Sequence, residues 1–382
     1  RGIDAASHEV GCRPEVFATA FRFLRGFVPW FSTPGDLPRR WPRLGATYHA
    51  GEDFLDLADG LRAVDEAVRF LNLEDGARLG HGLSLGVEPE GYYKLKNRQT
   101  VLPAQDLLDN LVWLLFRSLE WGVEMPSALR TRLTQQAESL LRRIYGQDVP
   151  GGTLEAYWRG WKLRGDDPEL YRDPVLDPDQ ALGLLWPRLD AHRYGAFRKN
   201  NAQGELEDCR KDREVREMVH AYQFSGRVRW EGQRVEAFTA DREYTVLLAA
   251  VQAAMRERLM DRDICVECNP SSNYLIGSFR RYEKHPIFCF NSRGLDLPEC
   301  TDRQTQLRVS INTDDQGIFD TSLENEYALL YCALTSRRDR AGKRMVSNDA
   351  ALDYLDHVRT MGLDMVFPQA EERRLTRLLG RM

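Results

Sequence analysis

The chain has 382 residues, 42% of them hydrophobic and 29% charged, with a formal net charge of −5. That length suffices for two or three ordinary domains, or for one barrel of about 250 residues carrying a large insertion. No run approaches the roughly 18 apolar residues of a membrane span, and the negative balance gives no general attraction for nucleic acid, leaving only a local basic groove open.

In chain order, short strand-like runs alternate with amphipathic ones. Residues 1–6 read as a strand, 13–26 as a helix, 44–49 as a strand, 54–71 as a helix, and 77–82 as a strand ending in glycine. This is the βαβα rhythm of a parallel sheet with helical crossovers. From about Glu88 to Thr239 the rhythm is suspended. Helical patterns over 103–121 and 125–146 are followed by a polar, turn-rich tract over 195–218. The rhythm resumes with a helix over 241–259, strands over 263–268 and 306–312, and a helix over 322–336; a last helix is expected over 368–382. The expected organisation is therefore α/β: barrel strands in 1–87, a mainly helical insertion in 88–239, the last barrel strands in 240–340, and C-terminal helices in 341–382.

The chain opens on Arg1 as if a strand were already under way, so the numbered chain reads as the later part of something longer. The seven cysteines (Cys12, Cys209, Cys265, Cys268, Cys289, Cys300 and Cys332) are scattered and odd in number, which fits free thiols in a reducing cytoplasm.

Chemically capable residues collect where strands end. His49 and Glu52 close one, His81 the next, Asn269 and Asn273 follow the third, and Asp314 and Asp315 close the fourth. In a (β/α) barrel the loops at the C-terminal strand ends open to one mouth, so functional groups gather there. In isolation, His49 and Glu52 read more readily as a strand running into a solvated turn than as a site. Four successive strand ends carrying such groups favour a site. Imidazole and carboxylate are zinc ligands, and a catalytic zinc keeps a position open for water, whose pKa it lowers to about 7. His49 and Asp314 are the ligand choices. Glu52, three residues past a ligand, is placed to exchange protons, and His81 and Asp315 to orient the nucleophile and stabilise charge.

The set HAGE (49–52), RLGHG (78–82), ECNPSSN (267–273), HPIF (285–288) and NTDDQGIFDTSLENEY (312–327), with GIDAASHE (2–9) before it, resembles the adenosine deaminase family of metal-dependent amidohydrolases. The resemblance covers residues 1 to about 86 and 241 to about 336. It implies the C-terminal part of a TIM-type (β/α)8 barrel and zinc-dependent hydrolytic deamination of an adenine ring at C6. His49 and Asp314 sit at the family's zinc ligands, Glu52 at its proton donor to ring N1, and His81 and Asp315 at its water-orienting pair. Ser7 stands where a glycine meets the purine through its backbone, and Asp315 also faces the substrate. Gln316 replaces the proline that usually follows the paired aspartates. The family's remaining ligands, a His-x-His pair on its first strand, have no counterpart among the seven histidines. The resemblance therefore implies a preceding N-terminal segment that carries them.

The implied substrate is adenosine, an adenine nucleotide or adenosine in RNA. By size and insertion, the chain also resembles the expanded deaminase of a bacterial antiphage (RADAR-type) defence system, which works beside an ATPase partner and forms large shells. That likeness implies a homo-oligomer without membrane contact. The alternatives are a shell-forming subunit whose barrel is inactive, and another metal-dependent amidohydrolase. The cytidine-type zinc deaminases need H-x-E and P-C-x-x-C. Here CVEC (265–268) follows Ile264 instead of proline and no H-x-E occurs, so these cysteines read as buried thiols.

Three further features have ordinary readings. Trp158, Trp161 and Trp186 fit a core better than base stacking, and 209–217 fits a solvated helix face. The basic runs 40–43 and 279–285 lie near expected strand ends and read first as ordinary surface charge, with contact to a substrate phosphate as the alternative.

Overall fold

The computed structural model describes residues 2–6, 8–26, 30–31, 39–40, 44–176, 202–297 and 306–367. Ser7, Trp186, Cys300, 41–43, 195–201 and the expected last helix over 368–382 lie outside the described residues.

Five strands form one sheet in the order β1 (Gly2–Ile3), β4 (Gly45–Ala50), β5 (Arg78–His81), β8 (Cys265–Cys268) and β9 (Val309–Ile311). All four pairings are parallel, with Thr47 beside Arg78, Arg78 beside Cys265, and Val266 beside Val309. The spatial order follows the chain order without reversal, so all five C-terminal ends lie along one edge. Two-residue strands β2 (Trp30–Phe31) and β3 (Arg39–Arg40) form a separate antiparallel pair.

The helices start where the sequence supplies caps. Helix α2 (Leu57–Phe70) is capped by Asp56, whose carboxylate accepts the Ala58 N–H. Asp241 likewise caps Arg242–Asp261, and Ser322 caps Leu323–Ser336. Each satisfies a main-chain donor that the first turn leaves unpaired. Among the described residues no helix is long and apolar enough to cross a membrane.

Between β5 and β8 the chain leaves the sheet. Strand β6 (Gln99–Pro103) pairs antiparallel with β7 (Val235–Thr239), Pro103 opposite Val235, so the two ends of the intervening helical stretch meet in a ribbon. Within it lie α4 (Ala104–Glu120), α5 (Ser127–Tyr145) and α6 (Leu154–Lys162), and the chain returns through Ala202–Lys211, Arg213–Phe224 and Gly226–Gly232. One continuous cluster of buried side chains joins this stretch to the sheet, running from Ala46 and Leu79 through Leu108 and Trp113 to Trp161 and Val219.

Trp158 and Trp161 are core residues, stacked 4.7 Å apart, with Phe70 5.5 Å from Trp161. Replacing Trp161 by Ala should cost about 3–5 kcal/mol, measured as a lower midpoint in a denaturant titration; a smaller loss would mean that the cavity collapses.

Charges fill the seam between α2 and the helical stretch. Arg62, fully buried, donates to Glu66 (2.8 Å), Asp59 (2.8 Å) and Asn110 (2.9 Å). Arg13 reaches the same Glu66 and Asp59 (2.8 Å each). Arg164 grips Asp109 with two 2.8 Å hydrogen bonds. Burial works against the Asp109 charge, but Arg164 and Arg62 hold its carboxyl down to about 2. Burial pushes the nearby Glu15 carboxyl up to about 7.

The run 209–217 is not one solvated face. Asp212 caps a new helix there, Cys209, Arg210, Val215 and Arg216 are buried, and Arg210 pairs with Asp166 at 2.8 Å. Cys265 and Cys268 are buried in β8, and burial pushes the Cys268 thiol well above its ordinary range. None of the six described cysteines is in a disulfide.

Candidate active site

The site lies along the edge where β1, β4, β5, β8 and β9 end. At the end of β5, His81 takes a left-handed backbone conformation (φ +65°), and past β9 Asp314 does the same (φ +57°). Such backbone is costly for residues other than glycine and persists only where the surroundings enforce it. Both turns aim a functional side chain into one space. Glu52, His81 and Asp314 each present a potential ligand atom within 4.8 Å of the others, an arrangement that could hold a metal ion.

The distances within this group show a shortage of donors. Glu52 Oε1 lies 2.8 Å from His81 Nδ1, yet it is buried without an aligned hydrogen bond. The same Nδ1 faces the Asn273 amide nitrogen at 2.8 Å. Asp314 Oδ2 stands 3.7 Å from His81 Nε2. Two carboxylates crowd an imidazole with one buried oxygen unpartnered. That donor set fits a cation.

His49 stands beside this group, its ring 5.0 Å from that of His81. Its Nδ1 lies 3.3 Å from Asp4 Oδ1, at the end of β1. Burial alone would lower its pKa, but the Asp4 hydrogen bond and charge, with Glu52 and Glu267, raise it. The His49 ring rests on Gly80, its neighbour across the β4–β5 pairing; a Cβ at Gly80 would come within 3.0 Å of three ring atoms.

The turn that carries Glu52 is held from β1. Glu9 accepts the main-chain N–H groups of Gly51 (2.7 Å), Glu52 (2.9 Å) and Asp53 (3.4 Å). Burial pushes the Glu9 carboxyl up to about 6 in spite of those donors. Gly51 sits at φ +80°, and a Cβ there would lie 2.4 Å from Ser84 Oγ, so the turn admits little but glycine.

The loop after β8 completes the surroundings. Glu326, fully buried, accepts the Ser271 N–H at 2.8 Å and pins the start of helix Pro270–Ile276. That fixes Asn269 and Asn273 over His81.

Of the residues expected from sequence, Glu52, His81 and Asp314 come together and His49 stands adjacent. Asp315 is exposed and opens the short turn Gln316–Phe319, outside the three-residue group. Ser7 lies outside the described residues. Asp4 and Glu9 were given no role from sequence, although both belong to the run that ends β1; the strand-end logic that singled out His49 applies equally to them.

Residues 214–357 match the family model of adenosine deaminase. The matched segment contains Asn269, Asn273, His285, Asp314 and Asp315. His49, Glu52 and His81 lie outside it, and the parallel pairing of β5 with β8 brings them to Asp314. It begins at Glu214, within the stretch read from sequence as an insertion. No curated protein matches the chain.

Proposed function

We propose, from the match of residues 214–357 to the adenosine deaminase family model, that the chain hydrolyses the exocyclic C6 amino group of an adenine ring, converting adenine, as nucleoside or nucleotide, to the hypoxanthine product and ammonia. The carrying observation is the convergence of Glu52, His81 and Asp314 from the ends of three strands of one parallel sheet. The unreversed strand order supports reading the sheet as the later part of a (β/α)8 barrel, with 88–239 as its insertion.

His49 and Asp314 would hold zinc, with Asp4 fixing the His49 ring through Nδ1. When bound, zinc supplies Lewis-acid activation of water. Glu52 carries the proton that ring N1 takes as C6 becomes tetrahedral, and Glu9 keeps that carboxyl in place by gripping the turn. His81 and Asp315 orient the attacking water and offset the charge that develops on it. The Ser7 main chain meets the purine edge. By its weaker resemblance to the antiphage deaminase, the chain would assemble as a cytoplasmic homo-oligomer beside an ATPase.

The test is ammonia release from adenosine, AMP, ATP and an adenosine-containing RNA, with and without a chelator. Metal-dependent release from one of them selects the substrate class. Zinc bound with no release from any would end the deaminase reading and favour another amidohydrolase or an inactive subunit.

A finer test addresses His49. Gly80→Ala forces its ring to give way and should weaken zinc binding about ten- to a hundredfold, measured by competition with a chromophoric chelator. Unchanged affinity would remove His49 from the ligand set.

A further inference from the structure

Two basic segments that the candidate site does not use lie side by side on the surface. One is 279–285, with Arg280, Arg281 and Lys284 against a single acid, Glu283. The other is 336–345, which begins at the end of helix Leu323–Ser336 and carries five cations against Asp339. The Arg337 guanidinium joins them: it donates to the Glu283 main-chain oxygen and lies 5.0 Å over the Phe288 ring. The remaining seven cations are exposed.

Elsewhere on this chain exposed arginines keep carboxylate partners, as Arg172 does with Glu169, Arg213 with Glu217 and Arg359 with Asp356. Here the few acids are engaged locally. Glu283 pairs with Arg281 at 3.0 Å, and Asp339 accepts the main-chain N–H groups of Ala341 and Lys343 at 2.9 Å each. Among the described residues, Arg280, Lys284, Arg340 and Lys343 make no ion pair. Arg338 and Arg344 bond neutral oxygens, the first on the Thr335 carbonyl at 2.8 Å and the second on Asn348 Oδ1 at 2.7 Å. These two arginines are also opposed across an antiparallel bridge. Like charges directly opposite are unfavourable in such a pair, yet the hairpin holds them there, with Asp339 N–H on Lys343 O (2.9 Å) and Met345 N–H on Arg337 O (3.1 Å). A bound anion relieves that repulsion.

We infer that this surface binds the phosphate backbone of a single-stranded polynucleotide. The cations are strung over two segments and not gathered round one point, which suits a chain of phosphates better than a single one. At the border of the surface, Tyr274 and Tyr282 are stacked 4.6 Å apart and half-buried, next to the exposed Leu275 and Ile276. Flat rings beside cations meet bases as well as phosphates, whereas an acidic peptide would use the charges alone. Tyr274 directly follows Asn273, whose amide lies 2.8 Å from His81, so the surface begins one residue from the candidate site. The overall charge of −5 is no obstacle, because screening limits the attraction to charges within roughly 8–10 Å. The surface stands apart from the deaminase reading, which it would extend to adenosine held in a strand.

The probe is a fluorescein-labelled oligouridylate of about 16 nucleotides, the upper end of ordinary single-strand site sizes. It has phosphates but no adenine, so it reports the surface apart from any reaction. Fluorescence anisotropy on the full chain should show saturable binding at low salt, with log affinity falling against log salt by about 0.7 for each phosphate contact. Two paired reversals, Arg280→Glu with Lys284→Glu and Arg340→Glu with Lys343→Glu, should each weaken binding about tenfold or more and flatten that slope by about 1.4. All four side chains are exposed and unpaired, so the fold does not depend on them. Arg213→Glu, in the helical stretch, should change neither quantity.

No saturable binding at low salt, or equal affinity in both reversed chains, would overturn the inference. Displacement by polyglutamate as effective as by unlabelled oligouridylate would also overturn it, in favour of an acidic peptide. Binding that the reversals abolish, in a protein that releases no ammonia from any adenine substrate, would uphold the surface and remove the deaminase reading.

Discussion

Glu52→Gln should lower turnover about a hundred- to ten-thousandfold while the chain stays folded and retains zinc. The amide keeps the size and the main-chain anchor of Glu52 on Glu9, but it cannot carry a proton to the purine ring. Steady-state ammonia release alongside metal analysis of the same preparation checks both halves. Because Glu52 belongs to the group that could hold a metal, the two halves answer different questions. Lost turnover with metal retained makes Glu52 the proton carrier, and lost metal would make it a ligand. Full turnover would remove it from the reaction.

Arg62→Leu should destabilise the fold by about 3–5 kcal/mol, a large share of the roughly 5–15 kcal/mol that holds a typical domain together. Leucine fills part of the volume but leaves Glu66, Asp59 and Asn110 without the guanidinium that satisfies them. Arg13 still reaches two of these carboxylates, so the loss should fall short of unfolding the chain. Chemical denaturation monitored by tryptophan fluorescence measures it, since Trp161 donates to Glu66 in the same cluster. A loss below about 1 kcal/mol would show that the carboxylates find other donors. Helix α2 begins five residues after Glu52, so a softened seam should also raise exchange of the amides in the Gly51–Asp53 turn.

Much of the fold was legible because its signals are local. The strand over 44–49 and the helix over 54–71 appear as Gly45–Ala50 and Leu57–Phe70, bounded by a glycine turn and an aspartate cap that the chain displays openly. The buried charges were not legible, because their meaning lies in partners distant in sequence. Asp109 and Asn110 look like a break in an apolar run until Arg164 and Arg62 arrive from elsewhere. The same holds for Arg210, whose partner Asp166 lies beyond the reach of any local pattern.

The site divides along the same line. His49, Glu52, His81 and Asp314 could be chosen by residue type and strand-end position. That Asp314 shares one small space with His81 and Glu52, while the next residue, Asp315, is exposed beside it, accompanies a single left-handed residue past β9. His285 could be quoted as part of a motif, but its connection to His81 passes through the Asn273 amide, which no sequence displays.

The β6–β7 ribbon bears on the order in which the protein comes together. Strands β5 and β8 are neighbours in the sheet, yet the whole helical stretch separates them along the chain. Bringing such distant segments side by side costs loop-closure entropy, and folding slows as contacts become more distant in sequence. With Pro103 zipped opposite Val235 and Gln99 opposite Thr239, that stretch is short-circuited and β8 is delivered close to β5. The ribbon therefore shortens the loop that the β5–β8 pairing has to close, and with it the entropic cost of bringing His81 near the strand that leads to Asp314.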